Sequence, residues 1–495
     1  MSTDHKSLNQ IINHRIEKLN KIIEGGKNPY PHSFDKKNEI SFCSLKEVGE
    51  IVQTAGRIVS LRKMGKAAFL NIQDESGKIQ IYIKSALLPE NVYDVVGRNI
   101  DLGDIVGVIG EIFKTKTGEI SIRASEFYML SKNIRPLPNL KEKDGIAFNS
   151  FEDKELRYRH RQLDLIANPN VISTFRLRSK IVSETRRFLD ENGFLEVDTP
   201  VLQPVYGGAN ARPFKTFHNT LDQSLFMRIA VELYLKRLII GGIEKVYELG
   251  KNFRNEGMDR NHNPEFTMLE IYEAYKDVYH TADFTEKLIK TVARKVKKNQ
   301  VEFSGHKIDF TSNFKKTTMA EELKNATGND VLEMDENHLS DFAKSKGIVI
   351  NSKMNYGKIL DELFSKFVEP KLIQPTFVFD YPKAISPLAK SKRDGNKNIV
   401  ERFELFIGGM EFANAFSELN DPIEQRARLE VQAQLRDLGD DEAQVVDENF
   451  LQAMETGMPP TGGVGIGIDR LIMLLTGENS IKDVLLFPAM RPEEN

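Results

Sequence analysis

The stretch from Phe253 to Tyr272 packs several reactive side chains into a short segment. It reads Phe-Arg-Asn-Glu-Gly over 253–257, then a polar loop, then His-Asn-Pro-Glu-Phe-Thr over 262–267, with Glu270 and Tyr272 behind it. Arg254, Glu256, His262 and Glu265 crowd its centre, where charges buried without partners would be costly. Such a cluster suits a charged ligand. A second arginine, Arg470, follows the glycine run Gly462-Gly463-Val464-Gly465-Ile466-Gly467. Two guanidinium groups, each set on a regular element, suit a polyanion such as a bent nucleoside triphosphate.

A third group of polar residues lies between Glu404 and Glu418. If Phe412–Glu418 is a strand, Asn414, Phe416 and Glu418 share one face, because strand side chains alternate. Glu270 and Tyr272 share a face by the same rule. Brought together, the carboxylates, amide and phenol make an acceptor-rich pocket, which fits an extended side chain ending in an ammonium group. Glu404 and Glu411 flank the turn at Gly408-Gly409, and two carboxylates beside a triphosphate call for magnesium. By strict alternation Glu411 faces away from Asn414, so a bulge or twist must re-aim it.

Several elements must position these groups. Residues 253–272 have the pattern of a hairpin, two β-prone runs around an Asn/Asp/Gly/Pro centre. Val171 to Asn192 reads as an amphipathic helix stopped by Gly193, followed by a short strand over 194–199 that ends at Pro200. At the start of the chain, Ile11, Ile12, Ile16, Leu19, Ile22 and Ile23 mark one helical face over 9–24. Between about 48 and 135, five β-prone runs (51–57, 68–73, 79–84, 105–113 and 120–130) suit a small oligonucleotide-binding barrel. Arg62, Lys63 and Lys66 are expected in its first connection. Phe69 and Gln80 lie on neighbouring strands, where Phe69 serves either as a base-stacking platform or as barrel core. The basic run Arg157-Tyr158-Arg159-His160-Arg161 is either solvated or a phosphate contact. Residues 281–395 read as lysine-rich helices with one strand, 376–380, in part an insertion.

The 495 residues call for more than one domain, and 40% hydrophobic with 28% charged residues is ordinary for an enzyme. The single cysteine, Cys43, excludes an internal disulfide and a multi-cysteine zinc site. No apolar run is long enough to span a bilayer, and these features together fit a cytoplasmic protein. The net charge of −3 gives no general affinity for nucleic acid, so such contacts must come from local patches. No P-loop is present, and the glycine run at 462–467 lacks the dinucleotide spacing.

With these residues in view, the chain resembles the class II aminoacyl-tRNA synthetases, and among them the lysyl-tRNA synthetases of bacterial type. Gly193 to Pro200, Phe253 to Phe266 and Gly465 to Arg470 resemble the three class signatures. The stretches 207–214, 232–238, 414–420 and 487–492 extend the likeness over most of the chain. The resemblance implies an α+β fold. An N-terminal helix and arm (1–47) precede a five-stranded OB-fold anticodon-binding barrel (48–135) and a linker (136–165). A catalytic domain (166–495) follows, with a mainly antiparallel sheet flanked by helices. It implies a homodimer that uses ATP, Mg2+, L-lysine and tRNA-Lys.

Carried over by resemblance, Arg254 binds the α-phosphate and the substrate carboxylate. Glu256, His262 and Glu411 contact ATP, Phe266 stacks on adenine, and Arg470 lies near the γ-phosphate. Glu404 and Glu411 hold magnesium. Gly208 and Glu232 receive the α-amino group; Glu270, Tyr272 and Glu418 grip the ε-ammonium, with Asn414 and Phe416 shaping the pocket. Arg62, Phe69, Gln80 and Glu126 read the anticodon. The chain departs from the pattern at Val231, where proline is expected, at Lys251, where arginine is common, and at Phe412, where a smaller aliphatic residue is expected. An aspartate- or asparagine-specific enzyme would need a cationic pocket, against Glu270 and Glu418. A ligase that lysylates protein would lack the barrel. A non-catalytic RNA-binding paralogue would not keep Arg254, Glu404, Glu411 and Arg470.

Overall fold

The computed structural model describes residues 7–138, 140–143, 146–149, 151–351, 354–437 and 443–493. Parts of the expected N-terminal segment (1–6) and linker (139, 144–145 and 150) lie outside the described residues. The chain divides into two compact units, residues 1–172 and 173–495.

In the first unit, helix α1 (Leu8–Glu24) starts at Ser7, whose side chain and that of Gln10 cap each other's backbone in a capping box. Strands β1 (Ile51–Met64), β2 (Ala67–Gln73), β3 (Lys78–Lys84), β4 (Ile105–Lys114) and β5 (Ile120–Ser131) close into a barrel in the order β1-β2-β3-β5-β4. Alternate residues such as Ala68, Leu70, Ile72, Ile81 and Ile83 fill its core. Strand β1 runs further than the sequence pattern indicates, so Arg62 and Lys63 lie on the strand and not in the connection; only Lys66 is in the turn. Their backbones pair in register with Phe69 and Ala68, which extends the ladder.

The basic run at 157–161 is structural. Arg157 and Arg161 both pair with buried Asp164, at 2.6 and 2.5 Å, and Arg159 pairs with Glu155 at 2.6 Å. Arg161 itself is 1% exposed. Two of its arginines thus share one carboxylate and the third pairs with an exposed one, so the run is at least partly engaged within the protein.

The second unit is built on an eight-stranded sheet. In chain order its strands are β6 (Leu195–Glu196), β7 (Lys245–Phe253), β8 (Glu265–Ala274), β9 (Lys315–Thr318), β10 (Thr376–Pro382), β11 (Ile399–Ile407), β12 (Met410–Ser417) and β13 (Thr461–Gly467). The spatial order is β9-β10-β11-β12-β13-β8-β7-β6. Only the outer pairs β9·β10 and β7·β6 are parallel. The expected strand over 194–199 is reduced to β6. Residues 281–395 hold more strand than the one expected: β9, β10 and a hairpin of 300–303 with 306–309. Thr317 and Thr318 of β9 are β-branched and suit an edge strand despite the lysines beside them.

One face of this sheet is covered by helices α2 (Asn170–Glu191), α4 (Val278–Lys295) and α5 (Ile468–Thr476); α3 (Glu232–Ile240) lies near β8 and β7. Leu269, Ile271, Phe403, Leu405, Ala413, Ala415, Val464 and Ile466 point into that core. Their neighbours in sequence point the other way. Asp469, in the first turn of α5, accepts the Thr267 N–H at 2.6 Å and pairs with Arg178 of α2 at 2.6 Å. One buried carboxylate thus ties α2, β8 and α5 together and fixes where Arg470 emerges.

Candidate active site

The uncovered face of the central strands carries two cross-strand rows. Register places Glu404, Asn414, Gly465 and Glu270 opposite one another on β11, β12, β13 and β8. The adjacent row is Arg402, Phe416, Gly463 and Tyr272. In both rows the β13 position is glycine, so a trough runs between the side chains of β12 and β8. It forms part of a cavity of about 440 Å³ whose lining includes Gly208, Glu232, Arg254, Glu256, His262 and Phe266. Glu270, Tyr272, Glu404, Glu411, Asn414, Phe416, Glu418 and Arg470 also line it. Every residue expected in the nucleotide, amino-acid and metal sites therefore lies on one cavity.

Glu411 reaches that cavity through a bulge. The β11–β12 hairpin turns at Gly408 and Gly409, both with positive φ (61° and 74°), as a two-residue turn of this hand requires. Register then slips: Leu405 pairs with Ala413 but Phe406 with Glu411. Phe412 is the extra residue. It is buried in the core, 2% exposed, and its insertion turns Glu411 to the same side as Asn414. The larger side chain at 412 thus anchors the bulge.

The amino-acid end is acidic and dry. Glu270, Tyr272 and Glu418 are 3%, 3% and 1% exposed. The Tyr272 hydroxyl donates to Glu270 at 3.1 Å, and the Val231 N–H donates to Glu270 at 3.2 Å. Proline at 231 could not make the second bond, so the departure from the family pattern gives Glu270 a donor. Burial, then the charge of Glu232, push the Glu270 carboxyl up to about 7. Burial raises Glu418 to about 8; Lys236 opposes this, while Glu232 and Glu270 add to it. Both carboxyls are thus poised to ionise when a cation arrives.

At the other end, Arg254 follows directly on β7. Its Nε donates to the Ile229 carbonyl at 3.4 Å, and its guanidinium lies 5.1 Å from the Phe266 ring centre. Burial holds its pKa below the usual arginine value, and Glu256, Glu411 and Glu270 work against that. Arg470 donates to the Glu411 carbonyl at 2.6 Å and lies 3.3 Å from His262 Nε2. Because arginine only donates, Nε2 accepts and the proton sits on Nδ1, bonded to Asp259 at 2.8 Å. The two arginines face one cavity from different elements, as a polyanion clamp requires.

Glu404 is held by Arg402 and by the Tyr381 hydroxyl, the latter at 2.8 Å. Burial raises it to about 7; Arg402 lowers it, and Glu411 and Asp361 raise it. Glu404 and Glu411, two hard oxygen donors that raise each other's charge cost on one cavity, are the residues that would hold a divalent cation, which would relieve their repulsion.

Three residues of this site escaped the sequence pattern. Arg402 alternates with Glu404, and that period of two was visible. Lys236 stands four residues after Glu232, a spacing that usually marks a surface pair; here it is fully buried. Gly463 needed register: a methyl group there would collide with a Glu418 oxygen and the Tyr272 ring.

On the barrel, Phe69 is half-buried and faces outward, opposite in parity to the core residues, with its ring 4.7 Å from that of Tyr82. Arg62 is its cross-strand partner. Gln80 bonds Glu119 at 2.9 Å and accepts from Ser121 at 3.0 Å. Glu126 accepts from the Tyr128 hydroxyl. Phe113, 6.2 Å from Tyr82, and Arg123, 4.8 Å from the Phe113 ring, extend the outward aromatic strip and were not anticipated.

Residues 153–491 match the class II tRNA synthetase family (D, K and N), and residues 52–130 match the OB-fold nucleic acid binding domain. The chain is 48% identical over 505 residues to a lysine–tRNA ligase of Halalkalibacterium halodurans, covering 100% of this chain and 99% of that one. It is 48% identical over 497 residues to one of Carboxydothermus hydrogenoformans, with 99% and 100% coverage. A third, of Shouchella clausii, is 47% identical over 504 residues, with 99% of each chain covered.

The glycine trough gives a direct test. Gly463→Ala is expected to weaken binding of a long primary ammonium ligand by roughly 10- to 200-fold, the range for one methyl group in a pocket, with ATP binding retained. Calorimetric titration measures both; unchanged affinity for the amine would show that the trough is not its seat.

Proposed function

This chain belongs to the class II tRNA synthetases (D, K and N), and from that premise we propose that its acid-lined trough and arginine clamp make it a lysine–tRNA ligase. The observation that carries the choice of amino acid is the pair of buried carboxylates, Glu270 and Glu418, lining one cavity, where the nearby cations Arg402 and Lys236 are already paired with Glu404 and with Glu232 and Glu418. Aspartate or asparagine would meet acid where it needs a cation or donors. Lysine meets two acceptors and a phenol. An amino acid without the terminal ammonium leaves those carboxylates unpaired in a dry site, which is strongly penalised.

In this reading the substrate carboxylate, already ionised at neutral pH, needs no general base. Arg254 aligns it against the α-phosphate, while Arg470 restrains the far end of the nucleotide. Attack at the α-phosphorus gives lysyl-adenylate and releases pyrophosphate; the 3′ hydroxyl of tRNA-Lys then attacks the acyl carbon of that anhydride, the acyl–phosphate bond breaks, and AMP leaves. The protein's work is alignment and charge stabilisation. Phe266 presents adenine with the ring face not covered by Arg254; Glu256 and His262 complete the nucleotide contacts. Gly208 and Glu232 take the α-ammonium. Glu404 and Glu411 would hold Mg2+, which neutralises phosphate charge when bound.

The barrel carries the anticodon contacts. Phe69 and Tyr82 supply a stacking surface, with Arg62, Gln80 and Glu126 around it. Among the described residues no helix is long and apolar enough to cross a membrane; the tRNA substrate and single cysteine support work in the cytoplasm. Pairing of two copies is supported by exposed Leu195, Val201 and Leu202 beside Pro200, where the family dimerises. A ligase for a protein target is disfavoured by the complete barrel, and a non-catalytic paralogue by the intact clamp.

Three measurements test this reading. Arg254→Ala should cost about 3–4 kcal/mol of transition-state stabilisation and abolish lysine-dependent ATP–pyrophosphate exchange with the fold intact; near-normal exchange contradicts the assignment. Lysine binding should strengthen as pH rises. The carboxyls at about 7 and about 8 must lose protons to receive an ammonium, so affinity is expected to gain about tenfold or more between roughly pH 6 and 8. Calorimetry should show proton release on binding near neutral pH, and a flat profile would refute the poised-carboxyl picture. Phe69→Ala should weaken tRNA-Lys binding by about 1–3 kcal/mol and leave amino-acid activation untouched, as filter binding and exchange assays would show.

A further inference from the structure

A buried cation already sits inside the amino-acid end of the site. Lys236, on α3, is fully buried. Its Nζ lies 2.6 Å from a Glu232 oxygen and 2.5 Å from Glu418 Oε2. The Phe450 ring, 6.0 Å away, closes the space beyond. Lys236 is thus a bridge between the carboxylate read as the α-ammonium contact and one of those read as ε-ammonium contacts. Both Glu418 oxygens are buried without a hydrogen-bond partner, but only Oε2 is held by the Lys236 ion pair. Oε1 points at Gly463 and Tyr272, towards the trough. One oxygen of Glu418 is therefore taken and the other is free for a ligand.

We propose that Lys236 is a positioning residue for specificity: a resident ammonium that stays in place, aims Glu418 Oε1 into the trough and sets the charge that the pocket presents. The proposal rests on the reading of this trough as the lysine site. Once Glu270 and Glu418 have given up their protons to receive the ligand, three carboxylates, Glu232, Glu270 and Glu418, against one resident cation leave two negative charges. That matches the α- and ε-ammonium groups of lysine, whose carboxylate goes to Arg254. Without Lys236 the three acids would repel one another unopposed, and Glu418 would hold its proton more tightly and face the ligand as a donor and not as an acceptor. The groups that face Glu418 are Lys236 and Glu232 from α3 and Glu270 and Tyr272 from β8. Lys236 is the cation among them, so its removal acts on Glu418 directly.

Lys236→Met preserves volume and removes the charge. Exchange assays should show the KM for lysine raised at least about tenfold near pH 7, with the KM for ATP little changed. The preference for lysine over 6-hydroxynorleucine, a neutral analogue of equal length, should fall by a similar factor. Both should recover in part only at a pH above that at which the unaltered protein reaches its full lysine affinity, as Glu418 ionises again, and Lys236→Arg should restore the neutral-pH preference in part. A variant that loses lysine and analogue equally at every pH, or keeps its preference, overturns the proposal. If neither variant folds, a crystal structure of the unaltered protein with lysine decides. Lys236 Nζ must remain between Glu232 and Glu418 with the ligand ammonium on Glu418 Oε1; a Lys236 swung out of the pocket refutes it. Absence of lysine-dependent exchange in the unaltered protein would instead remove the reading of the site on which the proposal stands.

Discussion

Carboxylates buried on one face of a β-sheet repel each other and have lost most of their water, and cations must offset that cost. Much of the architecture around this cavity follows from it. Lys236 stands against Glu418 and Glu232, Arg402 against Glu404, and Arg470 near Glu411. Each acid that is to meet a ligand cation or a metal has a resident cation beside it. Those cations keep the empty protein foldable while leaving part of each acid's capacity unused. Glu270 is the exception. It relies on a hydroxyl and a backbone N–H, and burial raises it to about 7.

The glycine strand follows from the same constraint. Gly463 and Gly465 of β13 carry no side chain, which lets Glu418 and Tyr272 pack over the first and Met268 over the second, beside the cavity that Glu270 and Asn414 line. The adjoining residues Val464 and Ile466 meanwhile fill the core on the opposite face. The pleat thus separates a dry hydrophobic layer, which supplies rigidity, from a charged trough only one residue away. Rigidity matters because alignment of two anions is most of the chemistry, and a displaced guanidinium would lose it. The Asp469 contacts with Thr267 and Arg178 place Arg470 on that rigid layer and not on a loop.

Much of the site was legible because strand alternation is a local rule. Glu270 with Tyr272, and Asn414 with Phe416 and Glu418, follow from a period of two once the strands are recognised. The hairpin at 253–272 and the turn at Gly408-Gly409 announce themselves by composition. The extent of β1 was less legible, since Arg62, Lys63 and Met64 look like loop residues until their backbones are seen to extend the ladder. The run at 157–161 read as a surface of free charge because Asp164 gives no local sign that two arginines converge on it. Lys236 was hidden for a related reason: a Glu and a Lys four apart on a helix look the same whether the helix face is wet or sealed.

The sequence by itself determined the chemical inventory and its facing: which acids, arginines and glycines exist, and which of them share a side of their own strand. Covalent geometry alone makes those relations. Only the tertiary structure decided the register across β11, β12, β13 and β8, the bulge at Phe412 that turns Glu411 inward, and the burial that converts Lys236 from a surface charge into part of the pocket. These depend on which distant segments pair and on where water is excluded. Neither is set by neighbours along the chain, because the free energy of a buried charge belongs to everything packed around it.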